Sequence, residues 1–300
     1  MKIAVIDCGT NTFTLSLFEV DSKGHFKRTF KDRHYVDLAE EGIHTIGPKA
    51  FQRGVDAFRS FGCFLQDYPN IKTIALGTAA LRQASNQAAF IEAAKAVSGI
   101  TIQVIDGAKE ASLIYKGVRL AAPLGESPSL IMDIGGGSVE FIIADNQQVY
   151  WAKSYPIGVA VLFDQFHQSD PINTMEIQAL NQYLEGMLAD LVALLPSYPI
   201  EYLVGASGSF DVLDNMIGSK EAGQPFGYID AKDFDVTQKQ LVGASFEQRL
   251  KMKNLTSTRA KLIVMSVLLI DFIHKKIDTD HLIVSEHAMR EGLVYEFLHT

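Results

Sequence analysis

The chain has 300 residues, 47% of them hydrophobic, with a formal net charge of −8 and a pI of about 5.5. This acidic balance argues against a general nucleic-acid binder, which carries a basic face to neutralise phosphates. The longest apolar run, Leu262 to Ile270, is too short to span a bilayer, so no membrane partner is expected. With Cys8 and Cys63 as the two cysteines, a disulfide framework is not expected, and a reducing cytoplasm is the simpler location.

The first motif is a strand, a short turn and a second strand within the first 20 residues. An apolar strand leads to Asp7, and an alternating strand follows the turn. Small and hydroxyl-bearing residues between two strands are suited to binding a phosphate group. Cys8 is interpreted as a small buried hydrophobe rather than a nucleophile. The candidate phosphate ligands of this turn are Gly9, Thr10, Asn11 and Thr12.

A third strand is predicted from near His25 to Leu38, which makes three antiparallel strands. Within it, the segment from Lys31 to Tyr35 is dense in charge. Two interpretations stay open: a rim that contacts substrate, or an ordinary solvated edge strand. A helix is then predicted from Pro48 to Tyr68.

A parallel-type strand over Ile71–Leu76 is followed by Arg82, and Ser85 is predicted to cap a helix that ends at Gly99. A cationic side chain beyond the carboxyl end of such a strand lies where open α/β sheets bind ligands. Arg82 is therefore a candidate phosphate clamp. A surface salt bridge is the alternative, and position alone slightly favours it.

The next helix follows a strand over Ile100–Ile105 and carries Glu110 in its first turn. A carboxylate there is favoured by the helix dipole alone, and from the local sequence this explanation is preferred over catalysis. The stretch Pro123–Pro128 resembles a linker, so the change of domain is placed there. Together with the repeated turn described next, this predicts one domain over residues 1–122, to which the C-terminal helix 288–300 returns, and another over 123–287.

The turn motif recurs 126 positions later, within the segment Ser129–Ala144. Asp133 ends an apolar strand, three glycines follow, and a second strand carries Glu140. We expect the glycines to take positive φ so that backbone N–H groups approach a phosphate. A repeated supersecondary unit predicts two related domains whose turns face one cleft. The candidate phosphate ligands here are Gly135, Gly136, Gly137 and Ser138, and Asp7 and Asp133 suit a hard cation such as Mg²⁺.

The remaining sequence predicts a hairpin at Asn146, a helix capped by Asn173 and Glu176 that runs to Leu195, and a strand over Tyr202–Val204. A third loop of small residues follows this strand, with Gly205, Ser207, Gly208 and Ser209 as candidate phosphate or nucleoside ligands. Beyond it the pattern predicts a loop at 217–236, helices at 237–252 and 258–276, a strand at 282–285 and a helix at 288–299.

These segments together resemble the exopolyphosphatase and guanosine pentaphosphate phosphatase family (Ppx/GppA) of the actin-like superfamily, in its short two-domain form. The resemblance covers the whole chain. The matching segments are DCGTNT (7–12), GTAALRQASN (77–86), GAKEA (107–111), DIGGGSVE (133–140), PIGV (156–159), GASGS (205–209) and REGLVYE (290–296).

The resemblance implies an α/β fold of two ribonuclease H-like (actin-like ATPase) domains, each a mixed sheet flanked by helices, with the active site in the cleft between them. It also implies an exopolyphosphatase-type hydrolase in which water attacks the terminal phosphoryl group of polyphosphate or of guanosine pentaphosphate. In that family the residue matching Glu110 activates the water, which reverses the local interpretation. Asp133, Glu140 and Asp7 would hold Mg²⁺ or Mn²⁺, and Arg82 would hold phosphate oxygens. A homodimer and a part in the stringent response are further expectations from the resemblance.

The sequence departs from the family pattern at five positions, which puts chain-length preference and nucleotide use in question. His34 and Tyr35 replace a basic or amide pair, Lys261 replaces an acidic residue, and Ser266 and His287 replace glycines. A catalytically weak sensor that binds phosphate chains is the alternative function. Retention of Glu110, Asp133 and Glu140 favours the enzyme, and a kinase is disfavoured by the GAKEA and LRQA segments.

Overall fold

The computed structural model describes residues 1–277 and 279–300 and divides into two compact units. Unit 1 comprises residues 1–113 with 293–300, and unit 2 comprises residues 114–292. The division falls near, but not at, the boundaries predicted after residues 122 and 287. Both crossings lie inside helices rather than in the Pro123–Pro128 stretch.

Unit 1 is built on a five-stranded mixed sheet. Its strands are β1 (Lys2–Cys8), β2 (Thr12–Val20), β3 (Phe26–Tyr35), β4 (Lys72–Gly77) and β5 (Ile102–Val104), in the order β3-β2-β1-β4-β5. β1, β2 and β3 pair antiparallel, and β4 and β5 continue the sheet in parallel. The predicted antiparallel strands and the parallel strand after them are confirmed.

The helices of this half of the chain are α1 (Pro48–Leu65), α2 (Ala79–Gln83), α3 (Gln87–Ser98) and α4 (Gly107–Arg119). Ser85 is not the cap of α3, since Asn86 holds that position and the Ser85 hydroxyl lies 2.9 Å from the Thr45 hydroxyl. Gly99 ends α3 in the left-handed region at φ 72°, as glycine commonly does at a helix terminus. Phe13 packs edge-on against Phe58 at 5.8 Å, which joins β2 to α1 in the core.

Unit 2 is built on a six-stranded mixed sheet. Its strands are β6 (Ser129–Ile134), β7 (Val139–Ala144), β8 (Val149–Tyr155), β9 (Leu203–Ala206), β10 (Phe226–Asp230) and β11 (His281–Ser285), in the order β10-β11-β9-β6-β7-β8. The predicted loop over 217–236 is wrong, because β10 lies inside it. This strand ends the sheet beside β11 and has one further bridge, from Tyr228 to Ser219, and Gly227 weakens its sequence pattern.

The helices of the second half are α5 (Val159–Phe166), α6 (Thr174–Met187), α7 (Ala189–Leu194), α8 (Gly208–Ile217), α9 (Ala231–Gly243), α10 (Phe246–Leu250), α11 (Ser257–Ile277) and α12 (Met289–Leu298). The capping box of Asn173 and Glu176 is confirmed, but the helix breaks at Leu188. The predicted helix at 237–252 is two helices separated at Ala244–Ser245. Across the described part of the chain, no helix is long and apolar enough to cross a membrane.

The two sheets share one plan, which confirms the repeat. In each, a central strand (β1 or β6) pairs antiparallel with the next strand and parallel with a later one (β4 or β9). The third strand of each unit, β3 or β8, extends the antiparallel side. The turn between the first two strands is therefore in the same topological position in both units.

Candidate active site

The two predicted phosphate turns have the same backbone geometry. The Gly9 N–H donates to the Thr12 carbonyl at 3.1 Å, and the Gly135 N–H donates to the Ser138 carbonyl at 3.0 Å. In both hairpins the aspartate at the end of the first strand pairs with the residue seven positions later, as Asp133 does with Glu140. The duplication seen in the sequence therefore extends to hydrogen bonding and strand register.

In unit 2 the carbonyl groups of the turn are held from behind by the start of α5. The Val159 N–H donates to the Gly135 carbonyl at 3.0 Å, and the Ala160 N–H donates to the Gly136 carbonyl at 2.9 Å. In a trans peptide the N–H points opposite to the carbonyl. The N–H groups of Gly136 and Gly137 are thus directed away from α5, as a phosphate-binding turn requires.

In unit 1 a loop takes the place of that helix. The Leu38 N–H donates to the Thr10 carbonyl at 2.8 Å, and the N–H groups of Val36 and Asp37 donate to the Asn11 carbonyl at 2.9 and 3.0 Å. The same peptide geometry directs the Asn11 N–H to the opposite side. In unit 2 the segment behind the turn is the start of α5, which follows β8, and in unit 1 it is the loop 36–38, which follows β3. In each unit the turn directs its backbone N–H donors away from that segment.

The positive φ expected for the glycines of the second turn is wrong, and at Gly135 the absence of a side chain serves close packing instead. Among described residues, the glycines with positive φ are Gly24, Gly42, Gly99 and Gly223. A Cβ on Gly135 would instead lie 2.9 Å from the Ser138 carbonyl oxygen. Gly158, which was not predicted as a site residue, is more restricted still, since its Cβ would lie 2.3 Å from the carbonyl carbon and oxygen of Gly136. The contact between the Gly136 turn and the start of α5 is a tertiary contact, so it cannot be read from local sequence.

Asp133 and Glu140 form a buried carboxylate pair on adjacent strands. They are directly opposite in the β6–β7 register, and their residues are 6% and 2% exposed. The Glu140 Oε1 accepts hydrogen bonds from the hydroxyls of Ser138 at 2.7 Å and Ser154 at 2.6 Å. Like charges directly opposite each other destabilise a strand pair, so a cation would be favoured here.

This donor set fits a magnesium ion. In the described part of the chain, no group of three or more His, Cys, Asp or Glu side chains is arranged as a metal cluster. Mg²⁺ does not need one, because it keeps several waters and is commonly bound through one or two carboxylates together with substrate phosphates. Asp7, the third predicted ligand, is partly exposed at the equivalent strand position of unit 1. Beside it, burial and then the negative charge of Asp7 raise the pKa of the Cys8 thiol, which confirms Cys8 as a buried hydrophobe.

Arg82 and Glu110 form an ion pair in unit 1. The Arg82 Nη1 lies 3.0 Å from Glu110 Oε2 and 2.9 Å from the Ile105 carbonyl oxygen, with side chains 24% and 10% exposed. Glu110 is placed by α4, whose first turn is capped where Lys109 N–H donates to Asp106 Oδ1 at 2.8 Å. The two residues are 28 positions apart, so neither local motif indicated the pairing.

The third loop places its residues differently. Ser207 has φ 70° and ψ −179°, a region normally restricted to glycine. The hydroxyl of Ser209 lies in the core, 2.8 Å from the hydroxyl of Ser266. The Phe210 ring packs against Gly205, where an added Cβ would lie 2.0 Å from the ring. The Arg259 guanidinium packs against Gly208, where an added Cβ would lie 1.9 Å from Nη2. The roles of Gly205, Ser207, Gly208 and Ser209 in phosphate binding stay predictions.

The positions that depart from the family pattern have identifiable neighbours. His34 lies edge-on to Phe61 at 5.0 Å, and the Tyr35 hydroxyl donates to Asp37 at 2.8 Å. The Lys261 ammonium lies 4.9 Å from the centre of the Phe163 ring.

Comparison with known proteins agrees with this architecture. A Vibrio campbellii protein named guanosine-5'-triphosphate,3'-diphosphate pyrophosphatase is 29% identical over 299 residues; the alignment covers 98% of this chain but 59% of that protein. The crystal structure of an exopolyphosphatase from Cytophaga hutchinsonii has a TM-score of 0.95 and 33% identity, covering 100% of this chain and 98% of the other. An Aquifex aeolicus Ppx/GppA family member, at TM-score 0.80 and 21% identity over 100% of this chain and 98% of the other, has the same fold. Residues 19–300 match the Ppx/GppA phosphatase family, and the chain belongs to that family.

Proposed function

We propose that this protein is a phosphohydrolase that releases terminal orthophosphate from inorganic polyphosphate and from guanosine pentaphosphate. Family membership and the names of the relatives above support this class of substrate. The observation that carries the proposal is the ion pair of Glu110 with Arg82 in unit 1. A buried carboxylate fixed by a guanidinium is suited to positioning and deprotonating a water molecule.

In the proposed reaction, Glu110 accepts a proton from water as the water oxygen attacks the terminal phosphorus. The bond between that phosphorus and the bridging oxygen breaks, and the shortened chain leaves with the bridging oxygen. Phosphoryl transfer depends mainly on positioning and charge stabilisation, so few protein groups need to react covalently. Glu110 is the residue assigned to proton transfer.

The charged substrate would be bound by backbone donors and by Arg82. Among described residues, both hydrogen bonds of the Arg82 guanidinium use Nη1, which leaves Nη2 and Nε able to donate to phosphate oxygens. The N–H groups of Asn11, Gly136 and Gly137 are directed as anion donors, as argued above. Other ligands proposed from the sequence are Gly9, Thr10, Thr12, Gly135, Ser138 and the loop 205–209.

The cofactor proposed is Mg²⁺, with Mn²⁺ as a substitute, held by Asp133 and Glu140 with Asp7 as a further ligand. When bound, it would neutralise phosphate charge and favour departure of the chain. The serine hydroxyls on Glu140 fix that carboxylate in one orientation. The cytoplasmic location, the homodimer and the lack of nucleic-acid or membrane partners stay predictions from the sequence.

The test is phosphate release from long-chain polyphosphate, tripolyphosphate, guanosine pentaphosphate and ATP, each with Mg²⁺ and with chelator. We expect release from polyphosphate and guanosine pentaphosphate, little from ATP, and none with chelator. Glu110→Gln should lower the rate of release by on the order of 10² to 10⁴. Glu92→Gln, which changes an exposed glutamate on α3, should leave the rate unchanged. Tight binding of polyphosphate without any release would instead identify the sensor.

A further inference from the structure

Strand β3 is strongly basic in an otherwise acidic chain. It carries Lys27, Arg28, Lys31 and Arg33, all exposed, whereas the whole chain has a net charge of −8. β3 is also the edge strand of the unit 1 sheet, next to β2. Charges on an edge strand are often explained by the need to prevent aggregation with another sheet. A binding role therefore has to be argued from where these cations lie.

The pairing of β3 with β2 places the basic residues at increasing distances from the candidate phosphate turn Gly9–Thr12. Tyr35 pairs with Thr12, the last residue of the turn, and Arg33 and Lys31 follow at two-residue intervals along β3. At about 3.4 Å per residue, they lie about 7 and 14 Å along the strand from the level of the turn. The basic residues therefore form a line that begins beside the turn.

A bulge in the β2–β3 pairing adds a third cation to the same face. Lys31 pairs with Ser16, but beyond the irregularity at Leu17/Phe18 it is Arg28, not Thr29, that pairs with Phe18. Ser16 and Phe18 point to the same side of β2, so Arg28 is brought to the face of Lys31. In a regular strand Arg28 would have pointed to the other side.

The opposite face of β3 is fixed by packing. Phe30 stacks on Phe64 of α1 at 4.4 Å, and His34 lies edge-on to Phe61 at 5.0 Å. The one acidic residue of the strand, Asp32, is on this face, where it contacts His34 at 3.0 Å. Asp32 therefore lies on the opposite face of β3 from Arg28, Lys31 and Arg33, and the carboxylate nearest to them in the strand register is Asp7, which pairs with Thr14 opposite Arg33.

We propose that Arg28, Lys31 and Arg33 form a basic track that binds the distal part of a polyphosphate chain. The inference rests on the proposed function, in which the terminal phosphate is bound at the turn Gly9–Thr12. A line of cations matches a linear chain of repeated anions, whereas the phosphates of a nucleotide are too few to reach its far end. The track is a determinant of chain-length preference and takes no part in the chemical step.

The experiment compares the double variant Arg28→Gln/Lys31→Gln with a matched double variant, Lys49→Gln/Lys95→Gln. The control residues are exposed on α1 and α3, and both variants remove two positive charges from unit 1. The kinetic constants are measured for long-chain polyphosphate and for tripolyphosphate across a salt series. Direct binding of long-chain polyphosphate is measured by isothermal titration with chelator present.

We expect Arg28→Gln/Lys31→Gln to raise KM for long-chain polyphosphate about 10-fold, from the loss of two charge-assisted contacts. KM for tripolyphosphate and kcat for both substrates should stay at wild-type values. The salt dependence of binding should weaken, with the slope of log K against log salt falling by about 1.4, at about 0.7 for each lost phosphate contact. The control variant should match wild type throughout.

The outcomes separate this proposal from the proposed function. If wild type releases phosphate and Arg28→Gln/Lys31→Gln behaves as the control does, the track is wrong and the function stands. If wild type releases none, yet binding of long-chain polyphosphate falls about 10-fold in that variant, the function is wrong and the track stands. If single-stranded DNA displaces polyphosphate from wild type at equal phosphate concentration, the strand is a general polyanion surface and the proposal is overturned.

Discussion

Gly158 lies directly against the backbone of Gly136, so close that a Cβ on Gly158 would be 2.3 Å from the carbonyl carbon and oxygen of Gly136. The contact joins the start of α5 to the turn whose N–H groups are directed as anion donors. Backbone cannot move aside as a flexible side chain can. The position of the turn therefore depends on the absence of a side chain at residue 158.

Gly158→Ala should displace the turn and weaken phosphate binding. Overpacking of this kind costs about 1–3 kcal/mol of unfolding free energy. The matched control is Gly186→Ala, in the exposed part of α6, where an added Cβ has nothing within 4 Å. That control should stabilise the protein by about 0.5–1 kcal/mol, because alanine is the better helix former. Thermal melts and KM for polyphosphate check both variants; equal effects at the two sites would contradict the account.

If Asp133 and Glu140 bind Mg²⁺, the ion should raise the melting temperature of the protein through these two carboxylates. Mg²⁺ binding to the folded state should raise the melting temperature of wild type by an amount that grows with the logarithm of the Mg²⁺ concentration above its Kd. Asp133→Asn and Glu140→Gln should lose most of the Mg²⁺-dependent increase, since each variant removes one of the two carboxylates proposed to hold the ion. Glu126→Gln, an exposed carboxylate of the same unit, is the control. Retention of the full Mg²⁺ effect in both variants would assign the pair a purely structural role.

Ser207 lies in the third candidate phosphate loop and has a positive φ. Its φ of 70° with ψ of −179° costs a non-glycine residue about 1–3 kcal/mol. Ser207→Gly should therefore stabilise the folded protein by about 1 kcal/mol, after the larger entropy loss of glycine on folding is subtracted. If the hydroxyl binds phosphate, KM should rise at the same time. Destabilisation by Ser207→Gly, seen in a denaturant melt, would show that this backbone conformation is not strained.

The buried carboxyl of Asp214 should make the stability of the folded protein depend on pH. Burial raises the pKa of its carboxyl, the nearby charges of Asp211 and Glu286 raise it further, and Lys220 partly opposes them. The Oδ1 atom is buried without a hydrogen-bond partner among described residues. Because the folded-state pKa lies above the unfolded value, the folded state holds the proton more tightly, and stability is lost as pH rises through this window.

Asp214→Asn should therefore exceed wild type in melting temperature by more at pH 8 than at pH 4. Asp235→Asn, an exposed residue of α9, should show no such trend. A constant difference between Asp214→Asn and wild type across this range would mean that the carboxyl titrates normally.

The sequence predicted features that are local and missed those that depend on distant contacts. The Asp–Gly turns, the hairpin around Asp133 and the capping box at Asn173 each lie within a few positions, so spacing alone identified them. β10 was missed because an edge strand with one buried face and an internal glycine has little pattern. Gly158 lies in the segment PIGV (156–159), which contributed to the family resemblance, but its role was not predicted because its contact with Gly136 depends on the fold.

Glu110 shows both the reach and the limit of sequence reasoning. Its place in the first turn of a helix was predicted correctly, and the local sequence favoured a helix-dipole role. The family resemblance favoured catalysis instead. The structure adds the ion pair with Arg82, which local patterns could not indicate because β5 lies between the two residues in the chain.

The most direct test of the central claim is single-turnover phosphate release from long-chain polyphosphate by Glu110→Gln. As the base that deprotonates the attacking water, Glu110 should contribute on the order of 10² to 10⁴ to the rate, with substrate binding largely retained. The acidic limb of the wild-type pH–rate profile should also disappear, because a protonated carboxyl cannot accept a proton. A helix-dipole role would cost only about 0.3–1 kcal/mol of stability. If Glu110→Gln keeps more than about a tenth of the wild-type rate, well above the range expected for a lost base, the claim is contradicted and Asp106 becomes the next candidate.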